Sequence, residues 1–171
     1  MQLENLISGK FASAVTNYHI IDCRFDYEFA GGHIEGAVNI RNENEIASYL
    51  LTPGQGIYAD GSTLPAPSTS SQPSPAGGKT VLVFHCEFSK KRGPEMAKKF
   101  RTGDRAKNQE FYPALHYPEV YILEGGYCEF FKQRPVSPMF SPPRRTFSPV
   151  LTFFLPLTSL AHSRPATLLR T

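Results

Sequence analysis

Short apolar runs alternate with helix-forming segments along the first three quarters of the chain. Apolar residues cluster at 18–24, 37–40, 81–84 and 120–123, and each cluster has the length and the flanking turn residues of a strand. The segments 3–10, 43–51, 95–106 and 127–133 are rich in helix formers, and residues 25–29 suit one helical turn. This alternation predicts an α/β fold, with a parallel sheet covered by helices on both faces.

Two regions depart from this pattern. Residues 52–79 are dominated by Pro, Ser, Gly and Thr, which predicts a flexible surface loop inserted between two elements. Residues 135–171 contain four arginines, no acidic residue and seven of the fifteen prolines. We therefore expect one folded domain over residues 1–134 and a disordered Pro/Arg-rich tail over residues 135–171.

Composition narrows the class of protein. A formal charge of +3 over 171 residues is too slight to indicate nucleic-acid binding, and the sequence has no run of 18 apolar residues that would predict a membrane span. Three cysteines without C-x-x-C spacing favour neither a disulfide framework nor a structural zinc site, and His33 and His85 lack metal-ligand spacing. An intracellular protein without metal or cofactor is expected.

The spacing of Cys86 and Arg92 is the feature of the sequence that predicts a catalytic activity. Cys86 follows the buried run at 81–84, and Arg92 precedes a Gly93-Pro94 pair that suits the first turn of a helix. Backbone N–H groups of such a loop and of a helix N-terminus bind oxyanions, and the same field favours thiolate over thiol. The arginine fork matches two phosphate oxygens. The C-x5-R pattern therefore predicts a phosphate-ester hydrolase, whereas the alternative is an inert buried cysteine with a chance spacing.

Several blocks of sequence together resemble the catalytic domain of the M-phase inducer phosphatases, dual-specificity phosphatases that activate cyclin-dependent kinases. The blocks are IDCRF at 21–25, YEFAGGHI at 27–34, AVNI at 37–40, FHCEFS at 84–89 with RGP at 92–94, YPE at 117–119, and YIL at 121–123 with GGY at 125–127. The resemblance implies a rhodanese-like fold, in agreement with the sheet predicted above.

The resemblance also implies roles for individual residues. Cys86 is similar to the nucleophile of the family, and Arg92 to the residue that holds the phosphoryl group. Glu87 is the nearest acidic candidate for the proton donor, and the substrate or another residue is the alternative. The backbone of the loop would line the phosphate cup through Glu87, Phe88, Ser89, Lys90, Lys91 and Arg92. Cys23 is similar to a second thiol that forms a protective disulfide with the nucleophile; the weaker alternative is a buried cysteine at a strand end.

A second set of implied roles concerns substrate docking. Arg101 and Arg105 lie four residues apart on one predicted helix and match basic positions that the family uses to dock its kinase, and Tyr112 could join them. The alternative is an ordinary solvated helix face. The expected partner is a phosphorylated cyclin-dependent kinase–cyclin complex, with a monomeric enzyme acting in nucleus and cytoplasm to promote mitotic entry.

The sequence departs from the family in three respects, one of which is a Pro/Ser-rich loop at 52–79 that is longer than expected. Lys90 and Lys91 make the loop more basic than in members that carry an acid just before the arginine, which removes one candidate proton donor. The resemblance also stops near Gln133, where family members continue with a segment that helps substrate docking. Three alternatives therefore stay open: a rhodanese sulfurtransferase, whose loop is usually one residue shorter, an arsenate reductase, and a truncated phosphatase that acts as a binding protein.

Overall fold

The computed structural model describes residues 2–58, 64–69, 79–133, 140–141 and 167–170. Over these residues the strands are β1 (Val15–Asp22), β2 (His33–Ile34), β3 (Ala37–Asn39), β4 (Lys79–His85), β5 (Glu119–Leu123), β6 (Phe140–Ser141) and β7 (Leu168–Arg170). The α-helices are α1 (Leu3–Ile7), α2 (Asp26–Ala30), α3 (Glu43–Leu51), α4 (Arg92–Lys107) and α5 (Gly126–Gln133), with 3-10 turns at Gly56–Tyr58 and Gln109–Phe111.

A five-stranded sheet in the order β3-β1-β4-β5-β7 is the framework of the fold. Strands β3, β1, β4 and β5 pair in parallel, and β7 pairs antiparallel with β5. Strand β2 pairs separately with β6, in an antiparallel ladder. The mostly parallel sheet confirms the predicted fold class. Strand β4 is the central strand, and its residues are accordingly buried from Val81 onward.

Helices cover both faces of the sheet, as predicted. Helices α3 and α4 pack on one face, in a core that includes Ile46, Leu50 and Phe100. Helices α1 and α5 pack on the other face, in a core that includes Leu6 and Phe130. Because the side chains of a strand alternate between faces, β4 supplies Leu82 and Phe84 to the first core and Val81 and Val83 to the second.

The main difference from the sequence-based expectation concerns residues 168–170. The sequence placed them in a disordered tail, whereas the structure pairs them with β5, from Tyr121↔Arg170 to Leu123↔Leu168. The physical reason is burial: Leu168 belongs to the same core as Leu6 of α1 and Phe130 of α5, where it is removed from water. Residues 135–139, 142–166 and 171 of the predicted tail lie outside the described residues.

The predicted loop at 52–79 is only partly described. Ser68 exchanges two backbone hydrogen bonds with Leu115, at 2.8 and 2.9 Å, so this part of the segment is attached to the domain. The flexibility expected for residues 59–63 and 70–78 lies outside the described residues. Across the described part of the chain, no helix combines the length and the apolar character that a membrane crossing requires.

Candidate active site

Cys86 lies at the carboxyl end of the central strand, where ligands of parallel sheets usually bind. It follows His85, the last residue of β4, and both are buried. Helix α4 begins so close to this strand end that a Cβ added to Gly93 would lie 3.1 Å from the carbonyl carbon of His85. The chain therefore has to leave β4 and enter α4 through a tight loop, in which Ser89 adopts a φ of +51°.

The N-terminus of α5 holds the first part of this loop. Tyr127 N–H donates to the Cys86 carbonyl at 3.0 Å, and Cys128 N–H donates to the Glu87 carbonyl at 2.9 Å. In a planar trans peptide the N–H points opposite to the C=O, so the N–H groups of Glu87 and Phe88 point away from α5. This arrangement leaves backbone donors on the loop for an oxyanion. Cys128, which the sequence left without a role, contributes its backbone here.

The rest of the loop is more exposed. Phe88, Lys90 and Lys91 face solvent, whereas the Ser89 hydroxyl is buried and has no hydrogen-bond partner among the described residues. The loop thus contains a buried hydroxyl donor as well as backbone amides. Two exposed lysines beside it raise the local positive potential, as the sequence predicted.

Arg92 is the first residue of α4, at the far end of the loop from Cys86. Its two terminal nitrogens donate to the two carboxylate oxygens of Glu28, at 2.5 and 3.0 Å. Its guanidinium carbon also lies 4.9 Å from the ring centroid of Phe25. The Arg92 guanidinium holds the pKa of Glu28 below its ordinary value. Glu28 and Phe25 did not emerge as functional residues from the sequence, although a Glu three residues after a helix N-cap is a known capping position.

Cys23 is the first residue after β1, just as Cys86 is the first residue after β4. The parallel register pairs Asp22 with His85, and the Cys23 N–H donates to the His85 carbonyl at 2.8 Å. The two thiols therefore follow paired residues on neighbouring strands. Burial raises the pKa of Cys23, and the charges of Asp22 and Cys86 raise it further. The structure brings together the two cysteines that the resemblance implied as redox partners.

Glu87 has a structural partner that the sequence did not reveal. Its carboxylate accepts a hydrogen bond from Arg24 at 3.2 Å, and the buried Arg24 guanidinium is also held by Asp22 at 2.7 Å. The Arg24 guanidinium lies 3.8 Å from the ring centroid of Tyr127 in α5. Through this pairing Glu87 braces the loop against Arg24, and its expected role as the proton donor stays a prediction.

A cleft of about 420 Å³ opens beside the loop. Its lining combines three cationic side chains with one acidic, one amide and several less polar ones, namely Cys23, Phe25, Arg41, Asn42, Arg92, Glu95, Met96 and Lys99. Arg92 is the residue of the loop that lines this cleft. The described residues include no cluster of His, Cys, Asp and Glu that could hold a metal ion.

The three residues expected to dock a protein substrate do not share one environment. Arg105 and Tyr112 are exposed, Tyr112 at 87%, and both line a surface cavity of about 760 Å³. Arg101 is buried, and its guanidinium donates to the carbonyls of Tyr117 and Pro118 at 2.6 and 3.3 Å. The expectation of Arg101 on an exposed docking face is therefore wrong, and this arginine instead attaches α4 to the segment before β5.

Comparison with known proteins gives the family. The model of the rhodanese-like domain matches residues 4–133. The chain belongs to the rhodanese-like family. Within it, the chain is 44% identical over 128 residues to the M-phase inducer phosphatase of Drosophila melanogaster, and 45% identical over 130 residues to M-phase inducer phosphatase 1 of Rattus norvegicus. The resemblance to the M-phase inducer phosphatases is thereby confirmed.

These matches cover most of this chain but a small part of the relatives. They extend over 74% and 75% of the chain, which spans 25% and 21% of the length of those two relatives. Among solved structures, a yeast protein tyrosine phosphatase of the rhodanese family superposes with a TM-score of 0.53 at 18% identity, over 82% of this chain and 88% of the yeast chain. At this identity the structural likeness supports the fold.

Proposed function

We propose that this rhodanese-like protein is a cysteine-dependent phosphatase that hydrolyses phosphate esters of tyrosine and threonine. The observation that carries the proposal is the loop between Cys86 and Arg92. It joins a thiol at a strand end to an arginine at a helix start, and α5 holds the first two carbonyls of the loop so that the following N–H groups point away from it. A thiol, a guanidinium and free backbone amides on one short loop suit a tetrahedral oxyanion.

The Cys86 thiolate attacks phosphorus in line with the ester oxygen and forms a phosphocysteine. Arg92 and the loop amides stabilise the charge that develops on the equatorial oxygens. Water then attacks phosphorus and releases inorganic phosphate. No step requires a metal or an organic cofactor. The leaving oxygen takes up a proton as its bond to phosphorus breaks; Glu87 is the nearest acidic group to supply it, and the substrate or another residue is the alternative source.

The proposed substrate is a phosphorylated cyclin-dependent kinase in complex with cyclin. The identity to M-phase inducer phosphatases supports this class of substrate. Arg105 and Tyr112 line a surface cavity at the end of α4 away from Arg92, where a protein substrate could make contacts remote from the chemistry. The protein would act as a monomer in nucleus and cytoplasm and promote mitotic entry.

Two substrates test the proposal. A small aryl phosphate measures the chemistry alone, and a cyclin-dependent kinase phosphorylated on tyrosine and threonine measures chemistry and docking together. Cys86→Ser should abolish both activities and preserve the fold, because a serine hydroxyl is barely ionised at neutral pH. The matched control is Cys128→Ser, which removes a thiol near the loop while keeping the backbone hydrogen bond to Glu87.

The opposing outcomes are specific. Substantial hydrolysis by Cys86→Ser would exclude Cys86 as the nucleophile. Sulfur transfer from thiosulfate to cyanide, or reduction of arsenate, without phosphatase activity would favour the sulfurtransferase or the reductase. Tight binding of the phosphorylated kinase without turnover of either substrate would indicate a non-catalytic binding protein.

A further inference from the structure

The carboxylate of Glu28 meets the guanidinium of Arg92 in a two-bond pair. Arg92 Nη1 donates to Glu28 Oε2 at 2.5 Å, and Arg92 Nη2 donates to Glu28 Oε1 at 3.0 Å. The pair is partly shielded from water, with 18% of the Glu28 side chain and 33% of the Arg92 side chain exposed. Bonds of this geometry are charge-assisted and orient both planar groups.

Glu28 is itself held in place. It lies in α2, and its Oε2 atom also accepts the N–H of Phe25 at 2.8 Å, as the third residue of the helix in a capping arrangement. The ring of Phe25 lies over the Arg92 guanidinium. The short segment from Phe25 to Glu28 therefore contacts this guanidinium twice: Glu28 binds one edge and Phe25 covers one face. Glu28 is 64 residues away from Arg92 in sequence.

The choice of nitrogen atoms determines which donors of Arg92 are left for a ligand. A guanidinium has five N–H donors and offers two edges for bidentate pairing, one between Nη1 and Nη2 and one between Nε and Nη2. Glu28 occupies the first edge. Arg92 Nε donates no hydrogen bond to the described part of the protein, so the second edge is open to an oxyanion.

We infer that Glu28 is a positioning residue that fixes Arg92 with its Nε–Nη2 edge presented to the phosphoryl group. The inference rests on the proposed function, and it names the residue that prepares the oxyanion site. A long arginine side chain left free would have to be ordered each time the transition state forms, whereas a guanidinium already fixed by Glu28 needs no such ordering. Glu28 stays in place while the oxyanion binds at the other edge.

The opposite role for Glu28, as a competitor of phosphate, predicts a different result. If Glu28 were a competitor that occupies the place of phosphate, its removal would tighten oxyanion binding and raise activity. If it positions Arg92, its removal weakens oxyanion binding and lowers turnover. The sign of the change in affinity for a small oxyanion therefore distinguishes the two.

Glu28→Gln is the variant of choice, because the carboxamide keeps the size of the side chain and one oxygen for the Phe25 N–H. The matched control is Asp26→Asn, which makes the same chemical change in the same helix, where Asp26 pairs with Arg41 at 3.0 Å on the exposed surface. Tungstate binding is measured by calorimetry, and kcat and KM are measured on a small aryl phosphate. Thermal unfolding of both variants reports the fold.

For Glu28→Gln we expect kcat to fall about tenfold or more, the KM for the aryl phosphate to change little, and the Kd for tungstate to rise about tenfold, while Asp26→Asn matches the parent. Glu28→Asp keeps the charge at a shorter reach and should recover part of the loss. If Glu28→Gln does not fold, Glu28→Asp alone decides, since a kcat and a tungstate Kd equal to those of the parent would overturn the inference.

Unchanged or tighter tungstate binding in a folded Glu28→Gln also overturns it. A parent chain that hydrolyses the aryl phosphate through Cys86 but binds no tungstate would overturn the positioning role and leave the proposed function standing. A parent that hydrolyses nothing, yet binds tungstate in a Glu28-dependent way, would overturn the proposed function and support the positioning role.

Discussion

Gly126 lies so close to Cys86 that a Cβ added to it would sit 2.5 Å from the Cys86 carbonyl oxygen. The same atom would lie 2.5 Å from the Glu87 carbonyl oxygen, and Gly126 has a φ of +64°. Both constraints require glycine, since the backbone atoms of the loop cannot move aside as a flexible side chain could. Helix α5 can reach the two carbonyls with its N–H groups only because no side chain separates them.

Gly126→Ala should therefore damage the loop more than the fold in general. Adopting a positive φ costs an alanine about 1–2 kcal/mol, and the clash adds to this by displacing the loop. We expect kcat on the aryl phosphate to fall about tenfold or more. The matched control is Gly36→Ala, because Gly36 has a φ of +75° with no atom within 4 Å of an added Cβ. Equal stability and activity in the two variants would show that α5 does not hold the loop.

Arg92→Lys tests the fork of the arginine separately from its charge. Lysine keeps the positive charge but cannot form two parallel bonds with a carboxylate or a phosphate. Turnover of the aryl phosphate should fall about 10²-fold, in the range found for removing a donor from an oxyanion site. Steady-state kinetics and circular dichroism would separate lost chemistry from lost fold. A variant as fast as the parent would exclude Arg92 from phosphate binding.

Mild peroxide should link Cys23 to Cys86. The two residues follow paired positions on adjacent parallel strands, whose spacing of about 4.8 Å is compatible with the Cα separation of a disulfide. Peroxide first oxidises one thiol to a sulfenic acid, and condensation of this group with the neighbouring thiol then prevents irreversible steps. Peptide mapping without reductant should show the pair, and a thiol reductant should restore activity.

Cys23→Ser provides the control for this protection. In that variant peroxide should inactivate the enzyme irreversibly, whereas Cys128→Ser should behave like the parent. A disulfide that involves Cys128, or recovery of activity in Cys23→Ser, would contradict the protective role.

Docking is tested by comparing Arg105 with Arg101. Arg105→Ala should slow hydrolysis of the phosphorylated kinase several-fold and leave the aryl phosphate unaffected, since only a protein substrate reaches this surface. Added salt should reproduce part of the defect, because exposed charges are screened over about 8–10 Å. Equal losses on both substrates would contradict a docking role.

Arg101→Ala should act differently, because it removes the hydrogen bonds to the carbonyls of Tyr117 and Pro118 and the 3.6 Å ion pair with the buried Asp104. Hydrogen bonds from a charged donor contribute about 1.5–3 kcal/mol each, so the melting temperature should fall and both activities should fall together. Thermal unfolding of the two variants provides the comparison. A stable Arg101→Ala variant that loses activity on the kinase alone would show that Arg101 takes part in docking.

The sequence predicted the fold and the loop well because both depend on local pattern. The apolar run before Cys86 and the helix formers after Pro94 are short-range signals, and the structure places β4 and α4 there. The structure extends α4 back to Arg92, since the loop runs directly into the helix. Family blocks added Cys23, whose position beside Cys86 depends on the register of two strands distant in sequence.

Side-chain pairing across the site was beyond the sequence. The partners of Arg92 and Glu87 lie 64 and 63 residues away, and no periodicity connects them. The exposure of Arg101 was misjudged for the same reason: spacing on a helix indicates a shared face, but only tertiary contacts decide whether that face is covered. Strand β7 was missed because its three residues are too few for a pattern to be recognised.

The position of β7 has a consequence for solubility. Without it, β5 would be the outermost strand on its side of the sheet, and the main-chain groups that now bond to residues 168–170 would be exposed. A bare strand edge of this kind invites pairing with another molecule, which is a common route to aggregation. Residues 168–170 therefore cover the edge of β5. Their removal should favour aggregation when this protein is handled at high concentration.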